Sequence, residues 1–278
     1  MKIEIPASND LKLSISNEQD GHSKYPTARL QKGLLLHYRS ENLAEEAVGF
    51  GLPVIKYGLQ SIFPGSVVLS VQATDPFWVI SADYKLNMVE KLARPNSASL
   101  KGKPFYTVKN ILAALLRQCP PLRVPLTILS SSLRKMFGWV TIYEAAETTN
   151  DLRLIYTVDP INGNLSVKTG TASSFSGTVT ELILMNEQGA HYFDCYLDSS
   201  GNTLSGKQIG CWDEVNANRA SFSCTHYGIS FSLSRQPGYR LFRGREVVDS
   251  RLAWSGFGIS FPLSSREINY SLDLVKLP

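Results

Sequence analysis

The sequence predicts a mainly β protein, a large antiparallel sandwich with one helical insertion near residues 105–137, in a single extended domain over residues 1–278. Three observations predict it. Short runs rich in β-branched and aromatic residues, alternating with a period of two, lie on both sides of the insertion. Clusters of Gly, Pro, Asn, Asp and Ser separate neighbouring runs, as hairpins require. Only one stretch, TVKNILAALLRQC at 107–119, combines strong helix formers with a continuous apolar stripe.

Taken in order, Gln31 to Gln72 contains LLLHYRS, VGFGLPVIKYG and SIFPGSVVLSVQ, which read as strands between turn signals. Val67, Leu69 and Val71 alternate with Val68, Ser70 and Gln72, so one face of that strand is expected to be buried. Gly49, Gly51, Gly58 and Gly65 suit bulges, turns or close backbone approach. The segment YKLNMVEKLAR (84–94) places Leu86, Val89 and Leu92 three apart, which is the spacing of a short helix. In the main helix Thr107 serves as N-cap, and Ile111, Leu112, Leu115 and Leu116 form the stripe. Pro120 and Pro121 then end it. Residues 126–137, LTILSSSLRKMF, are expected to form a second helix that stops at Gly138. From Trp139 onward short strand-like runs continue to the end, with turns at Pro160–Asn164 and Asp198–Asn202. The composition shift near 139 is a candidate boundary, but strands on both sides of the helical stretch favour one sheet system. The tripeptide GFG occurs at Gly49–Gly51 and at Gly256–Gly258, too short a match to define a repeat.

With 43% hydrophobic and 19% charged residues, the chain holds enough apolar side chain for a sizeable core, which excludes a disordered protein. The formal charge of +4 is not gathered into a Lys/Arg block, so nucleic acid is not an expected partner. No window reaches about 18 apolar residues, so no membrane span is expected. Met1 to Leu13 lacks the basic start and apolar run of a signal peptide, and a cytoplasmic location is the expectation. Cys119, Cys195, Cys211 and Cys224 contain no Cys-x-x-Cys pair and read as small buried hydrophobes. Neither a metal nor a cofactor is expected, although Cys224 and His226, two apart on a strand, would share a face.

The phosphate-cradling pattern G-x-x-x-x-G-K-[ST], the dinucleotide turn G-x-G-x-x-G, the nucleophile elbow G-x-S-x-G and the zinc motif H-E-x-x-H are all absent. Chemistry-bearing residues concentrate instead between 191 and 254. His226 and His191 are candidate proton carriers near neutral pH, with Tyr227 as a candidate proton donor. Arg240, Arg243, Arg245, Trp212, Tyr239 and Glu246 are candidate substrate-binding groups, because sugars are held by flat aromatic faces together with Arg and carboxylate side chains. Arg235 and Arg251 extend the arginine group. The competing reading is a sheet surface whose aromatics pack and whose arginines are solvated. Glu45 and Glu46 similarly read either as a base or cation site beside a Gly-rich strand, or as a solvated turn.

The strand rhythm of the second half, with LRLIYTVDPINGNLSVKTGTA and the closing INYSLDLVKLP, resembles the β supersandwich of galactose mutarotase-like proteins and of polysaccharide lyases. The likeness covers about residues 139–278. It implies a supersandwich-like fold and a carbohydrate ligand. The mutarotase histidine pair and catalytic carboxylate do not align onto this chain. Two functions stay open: a carbohydrate-active protein that binds an acidic sugar or moves a proton on it, and a non-catalytic β-sandwich binding or structural module. They are separated by whether His191, His226, Tyr227, Arg240 and Glu246 meet in one pocket.

Overall fold

The computed structural model describes residues 1–8, 10–19, 26–57, 60–93, 140–170, 179–210, 212–247, 253–262 and 268–276. The expected helices at 107–119 and 126–137, and most of the 105–137 insertion with them, lie outside the described residues. What is described is strand and turn, with two short 3-10 turns at Pro26–Arg29 and Gly206–Ile209. No helix among the described residues is long and apolar enough to cross a membrane.

In chain order the strands are β1 (Lys2–Ser8), β2 (Leu11–Ser16), β3 (Leu35–Tyr38), β4 (Glu41–Asn42), β5 (Gly49–Tyr57), β6 (Gln60–Thr74), β7 (Phe77–Ala93), β8 (Val140–Asp159) and β9 (Asn164–Thr169). They continue as β10 (Glu181–Gln188), β11 (Cys195–Asp198), β12 (Thr203–Ser205), β13 (Asp213–Glu214), β14 (Arg219–Cys224), β15 (Ile229–Ser234), β16 (Arg240–Val247), β17 (Ala253–Pro262) and β18 (Asn269–Lys276). β1 to β4 form a small antiparallel sheet. The rest form one sheet of 14 strands in the order β12-β11-β14-β15-β18-β9-β8-β7-β6-β5-β10-β17-β16-β13. This bears out the expectation of a mainly β, large antiparallel architecture.

The large sheet folds back on itself around a phenylalanine core. Phe231 of β15 meets Phe50 of β5 at a centroid distance of 5.1 Å and Phe193 at 5.0 Å. Phe222 of β14 meets Phe257 of β17 at 4.9 Å. Strands far apart in the sheet order thus face each other across a dry layer, in edge-to-face contacts that aromatic quadrupoles favour. The two GFG segments turn out to be neighbours, because Asn186 of β10 pairs with Phe50 on one side and with Phe257 on the other.

Gly51 is the extra residue of a bulge in β5, since Met185 pairs with Leu52 while Asn186 pairs with Phe50. Its backbone groups leave the ladder and are satisfied by side chains. Gly51 N–H donates to Asn186 Oδ1 at 3.1 Å, and Tyr156 Oη donates to Gly51 O at 2.9 Å. Tyr270 Oη also donates to Asn186 Oδ1 at 2.8 Å, so the buried amide oxygen accepts two hydrogen bonds. Gln188 does the corresponding work for the small sheet. Its amide accepts from Leu36 N–H at 3.1 Å and donates to Leu34 O at 3.3 Å, fastening β3 to the end of β10.

One expected helix is corrected. Residues 84–93 belong to β7, paired with β8 as far as Ala93 and with β6 as far as Val89. Ala82, Tyr84 and Leu86 are buried alternately, and then a register shift between Leu86 and Met88 makes Val89 the next buried residue. The bulge supplies the three-residue step that looks helical in the sequence. A second element went unread: β1 and β2 alternate Ile3, Ile5, Ala7 and Leu11, Leu13, Ile15 into the core. The expected turns hold, each closed by an Asp. Asp159 accepts from the N–H groups of Ile161 and Asn162, and Asp198 from those of Ser200 and Asn202.

Candidate functional site

The two-residue turn Arg39–Ser40 joins β3 to β4 and delivers Tyr38 and Glu41 as register partners. Arg39 and Glu45 both adopt left-handed backbone, with φ of 55° and 52°, so the chain between them is tightly turned. Glu41 projects toward two tyrosines that arrive from distant segments. Tyr192 donates to Glu41 Oε1 at 2.6 Å, and Tyr227 makes a short hydrogen bond to Oε2. Tyr227 lies in the turn between β14 and β15, stacked toward Tyr192 at 6.1 Å and tilted on Tyr38 at 5.3 Å. The exposed His226 ring stands edge-on to Tyr227 at 4.5 Å.

Hydrogen bonds from Tyr192 and Tyr227 hold the Glu41 carboxyl below its usual range, with the nearby His226 adding to the effect. The same contacts raise the phenols. Burial and the Glu41 bond raise Tyr192, which also feels Glu45, and the Glu41 bond is the main cause for Tyr227. Lys276 closes the group from β18, donating to Tyr38 Oη at 2.5 Å while lying 4.4 Å over its ring.

Beside this cluster, His191 Nδ1 lies 2.9 Å from both carboxylate oxygens of Glu45. The histidine is 40% exposed and the glutamate 19%. Glu45 also lines a cleft of about 420 Å³ together with Ser16, Glu18, Lys32, Asn42 and Glu46. Glu46, next in the turn, points to Lys32 at 3.5 Å. The turn reading of the glutamate pair is therefore right in its geometry, but both carboxylates have partners and both border the cleft.

Of the expected site residues, His191, His226 and Tyr227 are brought to one end of the molecule. Arg240 and Glu246 are not with them. In β16 they fall on the outer face of the large sheet, the face turned away from the phenylalanine core. Leu241, Arg243 and Arg245 fall on the inner face. Arg240 is held by Glu214 at 2.8 and 3.1 Å. Arg243 lies 4.6 Å over the Tyr196 ring and 3.8 Å from Asp213, and Arg245 donates to Ala190 O at 3.2 Å. Arg235 donates to Asn216 O, and Arg251 lies outside the described residues. Tyr239 is 7% exposed and donates to Ser234 O at 2.6 Å, a packing position. Trp212 stacks on Trp254 at 4.8 Å, also on the outer face.

Cys195 and Cys224 are free thiols, and burial raises the Cys224 thiol above its usual range. Cys119 and Cys211 lie outside the described residues. Among the described residues no group of three or more His, Cys, Asp or Glu side chains is placed to hold a metal ion. Sequence reading missed Glu41, which sits in a two-residue strand with no motif around it; its one signal is the aromatic and charged run His37–Asn42.

No protein-family model matches the sequence, and no curated protein matches it. Among solved structures the chain is similar to an α-N-acetylgalactosaminidase, NagBb, from Bifidobacterium bifidum in complex with Gal-NHAc-DNJ. The TM-score is 0.51 at 7% identity, with 99% of this chain and 36% of that chain covered. The ligand-free form of the same protein gives a TM-score of 0.48 at 6% identity, with 100% and 36% covered. The chain thus spans about a third of the length of the structures it matches, and the likeness is one of fold.

Proposed function

We propose that the protein is carbohydrate-active, binding a sugar in the cleft bordered by Glu45 and Glu46 and moving a proton there through His191. The observation that carries this reading is the His191–Glu45 pair, an imidazole 2.9 Å from a carboxylate that itself lines a cleft of about 420 Å³. A carboxylate at hydrogen-bond distance fixes the ring orientation of a histidine, which is what a general acid or base requires. Tyr192, Tyr227 and Glu41 next door add hydroxyl and carboxylate groups suited to sugar hydroxyls. The supersandwich-like strand rhythm and the fold shared with an α-N-acetylgalactosaminidase agree with a carbohydrate ligand.

The sugar is inferred to be neutral. The cleft's lining cation, Lys32, already faces Glu46 at 3.5 Å, and Arg240, Arg243 and Arg245 are engaged elsewhere, so the site offers a uronate no dedicated cation. The alternative is a non-catalytic binding module. It is favoured by the way Glu41 is already occupied by two tyrosines, a static arrangement that positions rings without moving protons.

Titrating and incubating the protein with a panel of neutral and acidic glycans tests both. Proton-transfer chemistry predicts that His191→Ala lowers turnover by about 100-fold or more while binding changes only a few-fold. A module predicts binding without turnover in the wild type. A wild-type protein that binds no member of the panel would remove the carbohydrate reading altogether.

A further inference from the structure

The outer face of the large sheet carries a feature that the Glu45 cleft does not use. A groove of about 180 Å³ runs across β5, β6, β10 and β16, walled by Val54, Phe63, Ile183, Met185, Trp212 and Phe242. Trp212 occupies left-handed backbone with φ of 58°, a conformation unfavourable for a bulky residue. Its indole packs over Gly258 of β17. A Cβ at Gly258 would come within 2.9 Å of Trp212 Cζ3, and one at Gly244 within 2.8 Å of the Trp254 ring. The two indoles stack at 4.8 Å with 22° between their planes, and both remain half-buried. Strain and a strip of glycines are thus spent on holding an indole rigidly at a groove wall, where a residue needed only for packing would be buried.

The polar groups around the groove are balanced in sign. Lys56 and Ser61 are part of its lining, and Lys56 is the register partner of Glu181 across β5 and β10. Glu181 accepts a short hydrogen bond from Ser260 and raises the nearby Arg240, whose guanidinium is paired with Glu214. Lys56 and Ser61 thus line the groove itself, while Arg240, paired with Glu214, lies 4.9 Å over one face of the Phe242 ring and leaves the other face to the apolar floor. Such a rim offers an anionic ligand no net attraction, but it offers donors and acceptors to a neutral polyol. A pyranose has the matching shape, with an apolar C–H face to lay on aromatic carbons and hydroxyls around its edge.

We propose that this groove is a second binding site, separate from the Glu45 cleft, that takes the ring of a neutral pyranoside with Trp212 and Phe242 as its stacking surfaces. The proposal rests on the carbohydrate reading for its ligand class only, and not on proton transfer at His191.

The test is titration of the whole chain with methyl pyranosides of neutral hexoses and, in parallel, a methyl glucuronide, followed by tryptophan fluorescence and calorimetry. At least one neutral pyranoside is expected to give a saturable change in emission. Trp212→Ala and Phe242→Ala should each weaken that phase by about 10-fold or more, and His191→Ala and Tyr227→Phe should leave it unchanged. Because Trp212→Ala could fail to fold, Phe242→Ala, with circular dichroism and melting point checked, carries the test if it does. Binding that persists unchanged in Phe242→Ala, or a glucuronide that binds tighter than every neutral ring, overturns the proposal. If sugar binds and only the His191 and Tyr227 variants lose it, the second site fails while the cleft stands. If no glycan binds at all, both fail.

Discussion

Glu187 is 4% exposed in β10, and burial pushes its carboxyl from 4.5 up to about 8, with the Glu246 carboxylate adding to the rise and the Val48 N–H opposing it. Tyr143, also buried, is kept from ionising by its own burial and then by Glu90, Glu187 and Glu246. Between pH 4.5 and about 8 the folded protein therefore keeps a proton that the unfolded chain has released. Folding stability from this group is fully present below 4.5 and is lost as pH rises toward 8. Glu187→Gln, which stays neutral, should raise the melting temperature at pH 8.5 by roughly 5 °C or more and flatten its decline between pH 5 and 8.5. A variant whose melting curve parallels the wild type across that range would show that Glu187 is not buried as a neutral acid. The sequence gives no hint of this group, because burial depends on which strand lies beside which. His191, His226 and Tyr227 were legible for a simpler reason: protonatable and aromatic side chains are dense between 191 and 254. Glu45 was singled out beside them, but its pairing with His191 was not, nor was Glu41 at all, since these glutamates come from about 150 to 190 residues away in the chain.

At the scale of elements, strand alternation in the second half was readable because one face of each strand is buried and the other is not, as in β14 and β18. Bulges are where reading failed. The shift at Leu86–Met88 moved burial by one residue and imitated a helical step. The glycines show a related division between conformational and steric need. Gly256 has ordinary φ, yet an added Cβ would lie 2.0 Å from the Asn186 carbonyl oxygen in the adjacent strand. Gly201 has φ of 85° in a turn, with nothing within 4 Å of such a Cβ. Gly256→Ala must push β17 away from β10 and should cost about 3 kcal/mol or more, in the range of severe core disruptions. Gly201→Ala meets only the left-handed penalty of about 1 kcal/mol. Denaturant midpoints of the two variants check the order, and equal losses would mean that β17 and β10 are less closely joined than their register indicates.

For the whole molecule, the expected single domain can be tested through the residue at which the two halves of the large sheet meet. Phe231 of β15 touches Phe50 of β5, Phe193, Phe222 of β14 and Phe257 of β17, and none of these rings has any exposed surface. β5 and β17 flank β10 on one arm of the folded sheet, while β14 and β15 belong to the other. If the arms are one cooperative unit, a cavity at Phe231 destabilises both together, because both bury their apolar faces in one core to which the small sheet also contributes. Phe231→Ala is expected to cost about 3–5 kcal/mol. It should lower the melting temperature without splitting the transition. The near-ultraviolet tryptophan signal, to which the stacked Trp212–Trp254 pair contributes, reports on side-chain packing, and the far-ultraviolet signal reports on the strands. Coincident melting of the two signals, in the wild type and in Phe231→Ala alike, is the outcome that a single domain requires. A tryptophan signal that melts apart from the strand signal would divide the chain into two units.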